Sequence, residues 1–94
     1  MVQKPKDIHD ILESRGKAHG DWERQAATTH ALKERFHDNA GWRRLNPQQK
    51  EALDMVATKI GRILCGDPGC REHWDDIAGY ATLVADKLAA PAAE

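Results

Sequence analysis

The stretch QKEALDMVATKIGRILCGDPGCREHWDDIAGYATL, residues 49–83, decides the fold. In its first half Leu53, Val56, Ala57, Ile60 and Leu64 recur at spacings of three and four, the period of one helix face. Gly66, Asp67, Pro68 and Gly69 break that pattern. It resumes in Trp74, Ile77, Ala81, Val84 and Leu88, so the stretch reads as two amphipathic helices around a short turn. Glu51 and Asp54 stand three apart on the first helix, and His73 and Asp76 three apart on the second, so each pair projects from one face. If the two helices pack antiparallel, all four side chains are expected to enter one polar site suited to a divalent metal and a phosphate.

Working outward, Asn46 followed by Pro47 is a helix start, with Asn as cap and Pro at the first helical position. The segment Asp38 to Trp42 reads as a turn. Before it, Asp21 caps a helix whose stripe runs through Trp22, Ala26, Leu32 and Phe36 to an end near His37. A first helix is expected from about Pro5 to Ser14, on Ile8, Ile11 and Leu12, with Arg15 to Gly20 ending it. The last helix begins near Arg71 and gives way to a frayed tail at residues 90–94. The expectation is an all-α, four-helix bundle-like single domain over 1–94, ordered over about 5–89. Gly61 and Gly79 lie inside helices, where each costs roughly 1 kcal/mol against Ala, so each is expected to mark a close approach by another backbone or a ligand.

Ninety-four residues bury only a modest core, and a homo-oligomer is expected. Lys plus Arg number 14 against 15 Asp plus Glu, which gives no field for bulk nucleic-acid binding, so any anion must be held by local clusters. No apolar run approaches the roughly 18–20 residues that cross a bilayer, and the first residues lack a secretory apolar region, so no membrane association and a cytoplasmic location are expected. Cys65, Cys70 and His73 offer three borderline ligands without an evident fourth for zinc, and the cysteines read as free thiols.

Two clusters carry candidate chemistry. Glu51, Asp54 and Asp76 could hold magnesium through oxygen ligands, with Asp75 in reserve; His73 suits magnesium poorly, because imidazole favours transition metals. The alternative is that these acids are solvated, pairing with Lys59 or Arg62. The second cluster, Arg15, Lys17, His19, Asp21 and Trp22, surrounds a glycine-bearing turn ahead of a helix start. Such a start binds anions, and Trp22 could stack on a base; the alternative is an ordinary interhelical loop with Trp22 as a core anchor. Lys59 and Arg62 could reach phosphate oxygens, while Tyr80, two turns beyond His73, could stack or serve the core. Trp42 and Trp74 read as packing residues. No nucleophile stands with a convincing base, so the catalytic residues are unknown.

Arg15-Gly-Lys-Ala-His-Gly-Asp-Trp22, Gln49-Lys-Glu-Ala-Leu-Asp-Met55 and His73-Trp-Asp-Asp-Ile-Ala-Gly-Tyr-Ala81 resemble a family of small uncharacterised proteins of bacteriophages and prophages, over about residues 8–88. More distantly the chain is similar to MazG-type all-α nucleoside triphosphate pyrophosphohydrolases, whose magnesium ligands lie in Glu-x-x-Glu and Glu-x-x-Asp. Glu51-x-x-Asp54 and His73-x-x-Asp76 overlie that pattern, with His73 in place of a carboxylate. The resemblance implies an intersubunit site. Three functions follow as expectations: a phage-encoded binder that sequesters a nucleotide-derived ligand such as a host antiviral signal, a magnesium-dependent pyrophosphohydrolase, or a helical protein-interaction module. The first is preferred, because the His73 departure damages a metal site more than a binding site. Its ligand-binding residues would be Arg15, Lys17, His19, Trp22, Lys59, Arg62, His73 and Tyr80.

Overall fold

The computed structural model describes residues 7–89, which form four α-helices and no strand. The helices are α1 (Ile8–His19), α2 (Trp22–Asp38), α3 (Pro47–Cys65) and α4 (Arg71–Ala89), with a 3-10 turn over Ala40–Arg44. The chain is therefore an all-α, bundle-like fold. None of these helices is long and apolar enough to cross a membrane.

Local chemistry sets most boundaries. The Asp21 carboxylate accepts from Arg24 N at 3.0 Å and opens α2. Asn46 opens α3 in a full capping box: its side chain accepts from Gln49 N at 2.8 Å, and Gln49 Oε1 accepts from Asn46 N at 3.0 Å. Trp42 packs on Phe36 and His37, with ring centroids 6.4 and 4.5 Å away, and so ties the 3-10 turn to the end of α2. Asp67 shapes the α3–α4 turn by accepting from Gly69 N at 2.8 Å.

The first helix differs from expectation. It runs through Gly16 to His19, because its C-cap is Gly20 at φ 86° and ψ −169°, a region open essentially to glycine alone. Gly16 is tolerated inside the helix, with open space where a Cβ would stand. The expected start at Pro5 and the expected frayed tail at 90–94 lie outside the described residues.

Helix α3 is the hub, packing on α4 and α2 most extensively and on α1 to a lesser extent. Where α3 crosses α2, a Cβ on Gly61 would collide with Thr29 Oγ1 and lie 3.5 Å from the Gln25 carbonyl, so the close approach expected at Gly61 is present. Gly79 is exposed, and no backbone among the described residues approaches it. The two interhelical turns also interlock. A side chain on Gly20 would overlap the Cys65 carbonyl, one on Gly66 would overlap the Ala18 carbonyl, and Asp67 N donates to Ala18 O at 3.0 Å.

The core is thin and polar. Ala57 is the one buried apolar side chain among the described residues, beside buried Gln25, Thr29, Lys59 and His73. Leu53 and Leu64, expected in the core, are exposed, as are Trp22, Trp74, Leu83 and Leu88. Trp74 instead lies along the turn, its indole N–H donating to Pro68 O at 2.8 Å. With α3 flanked on two sides, positions outside the conventional apolar stripe, Lys59 and Gly61, are buried along with Ala57.

Candidate ligand-binding cleft

An open cleft of about 1070 Å³ lies where the end of α1, the start of α2, the second half of α3 and the start of α4 converge. The Gly20–Gly66 interlock builds it by pressing the α1–α2 turn onto the α3–α4 turn. Of the expected ligand residues, Arg15, His19, Trp22, Lys59, Arg62 and His73 line it. Lys17 is exposed on α1 away from the lining, and Tyr80 lines a different groove with Glu51.

His73 is 2% exposed and is held by Ala18, whose carbonyl lies 3.3 Å from Nε2; that bond requires Nε2 to carry the hydrogen and donate. Its ring stands 4.9 Å from that of His19 at 50°. Partial burial, then the positive charges of Arg62, His73, Lys59 and Arg15, hold the His19 imidazole below the ordinary histidine pKa. Basic groups thus face His19, although Asp21, Glu72 and Asp76 also line the cleft and balance Arg15, Lys59 and Arg62 in number. Lys59, buried on α3, is fixed by Asp76 of α4 at 2.9 Å. Arg62 Nε is buried without a hydrogen-bond partner among the described residues, as is Thr29 Oγ1 on α2. Trp22 stands at the cleft 75% exposed, so the core-anchor alternative does not describe it.

Sequence reasoning missed Gln25. It is 5% exposed, lines the cleft, and its side-chain amide makes no hydrogen bond among the described residues. Its position three residues after Trp22, on the same face of α2, was the available signal.

The expected metal set does not assemble. Glu51 lies in the separate groove, Asp54 is bound to His37 Nε2 at 2.9 Å, and Asp76 is engaged by Lys59. Among the described residues no three His, Cys, Asp or Glu side chains gather into a group that could hold a metal ion. The cause is helix direction. In an antiparallel hairpin the start of α3 lies beside the end of α4, so Glu51 and His73 occupy opposite ends. The eight residues from Glu51 to Lys59 alone span about 12 Å at 1.5 Å per residue. The donor set thus does not fit magnesium within one chain. Cys65 and Cys70 are free thiols, and Cys65 Sγ lies 3.4 Å from Thr28 Oγ1.

No protein family, curated protein or solved structure matches the chain.

Proposed function

We propose that the protein binds a phosphate-bearing, ring-containing small molecule, a nucleotide or nucleotide-derived compound, in the cleft between the two interhelical turns. The observation that carries this reading is the convergence of Arg15, Lys59 and Arg62 with His19 and His73 on one cleft that Trp22 also lines. A phosphate oxygen is the acceptor whose charge and geometry suit a guanidinium on the cleft wall. The exposed indole of Trp22 supplies a stacking surface, and the unpaired Gln25 amide supplies donors and an acceptor for a ring edge.

The reading is capture rather than turnover. Hydrolysis through magnesium would need Glu51, Asp54 and Asp76 together, and they lie at three separate places. With the phage-family resemblance of the sequence, the reading extends to a phage protein that sequesters a nucleotide-derived host antiviral signal.

Isothermal titration calorimetry with ADP, ADP-ribose, a cyclic dinucleotide and inorganic pyrophosphate tests it. At least one nucleotide is expected to bind, and Arg62→Gln is expected to weaken that binding about ten-fold or more, in keeping with roughly 1.5–3 kcal/mol for a hydrogen bond to a charged group. Absence of binding by all four probes, or an affinity indifferent to Arg62→Gln, would overturn it. Magnesium-dependent pyrophosphate release from nucleoside triphosphates that is lost in Asp54→Ala would restore the hydrolase.

A further inference from the structure

A second groove, of about 300 Å³, runs between α3 and α4 apart from the cleft. Ala52, Tyr80, Leu83 and Val84 line it, with Glu51 on the α3 wall and Lys87 on the α4 wall. Leu83 is 66% exposed, and Leu88, one turn from Val84, is 70% exposed. This helix face has no partner within the described residues.

The chain's core indicates what covers it. Among the described residues no large side chain is fully buried, so a single chain lacks the apolar centre that bundles of this kind possess.

We infer that the α3–α4 face is the interface for a second copy of this chain, the two hairpins joining into a four-helix bundle about a two-fold axis along the groove. Such an axis sets α3 of each copy over α4 of the other, and neighbouring helices remain antiparallel. It also brings Glu51 of one copy opposite Lys87 of the second, so the charges that flank the groove become complementary twice over. Tyr80, Leu83, Val84 and Leu88 of both copies then fill the centre. The inference is independent of what the cleft binds.

Sedimentation equilibrium and native mass spectrometry of the full chain test it. The expected mass is twice the 10.5 kDa of one chain. Leu83→Glu, at a position exposed in the single chain, is expected to raise the dimer dissociation constant about ten-fold or more with helical circular dichroism retained. Glu51→Lys and Lys87→Glu are each expected to weaken the dimer, and the double exchange to restore it. A monomer at all concentrations overturns the inference, as does an assembly of any size that ignores both Leu83→Glu and the charge exchange. If Leu83→Glu does not fold, the charge exchange decides alone.

Discussion

Lys59 Nζ and Asp76 Oδ2 lie 2.9 Å apart and join α3 to α4 at the floor of the cleft. The lysine side chain is 10% exposed and the carboxylate 37%, so the pair is buried from one side. Asp76→Asn leaves the ammonium without its counter-charge and is expected to cost roughly 1–2 kcal/mol, less than the loss of a fully buried partner because water reaches the carboxylate side. Urea unfolding followed by circular dichroism measures it. The same substitution frees a cation in the cleft, so pyrophosphate affinity is expected to rise while stability falls. A metal role for Asp76 requires the opposite response in ligand binding.

Gly20 and Gly16 separate backbone strain from helix propensity. Gly20→Ala meets both a glycine-only conformation and the Cys65 carbonyl, and is expected to destabilise by about 2 kcal/mol or more. Gly16→Ala enters open space within α1 and is expected to stabilise by about 0.5–1 kcal/mol. Thermal unfolding of the two variants should move in opposite directions.

Trp22 and Arg62 divide the proposed ligand between them. Trp22→Ala is expected to weaken nucleotide binding by about 1–3 kcal/mol, the range for base stacking on an aromatic, while leaving pyrophosphate affinity unchanged. Arg62→Gln is expected to weaken both probes. Calorimetry with each probe on each variant distinguishes a stacking surface from a general loss of structure.

His19 gives a pH signature in two directions. Its imidazole titrates below the ordinary value of 6.5 in the folded chain, so the unfolded chain takes up a proton first as pH falls. The His19 contribution to stability is complete above about pH 6.5 and declines as pH drops from there to the folded value. Tm measured from pH 7.5 down to 5.5 is expected to fall, with a shallower slope in His19→Gln. Anion binding runs the other way: a phosphate beside His19 favours its charged form, so affinity is expected to strengthen as pH falls, and His19→Gln should flatten that dependence.

The helices of the 49–83 stretch, the turn between them and the starts at Asp21 and Asn46 were legible in the sequence because they rest on periodicity and on contacts within a few residues. The length of α1 was not. Gly16 and Gly20 look alike in the sequence, and only the docking of Gly20 against Cys65 distinguishes the helix end from a tolerated interior glycine. Six of the eight expected ligand residues share the cleft because α1, α2, α3 and α4 carry them at adjoining ends, whereas Tyr80 is two turns further along α4, in the other groove.

What the sequence determined by itself is the all-α class, its helix periods and its caps, all of which follow from interactions a few residues long. Only the tertiary structure decided which charges meet. Spacing of three residues places two acids on one helix face, but the direction of the next helix determines what stands opposite. Antiparallel packing gave Asp76 to Lys59, left Asp54 to His37, and put Glu51 and His73 at opposite ends of the hairpin. A metal pattern in one dimension thereby became a set of ion pairs and a cleft of mixed charge in three.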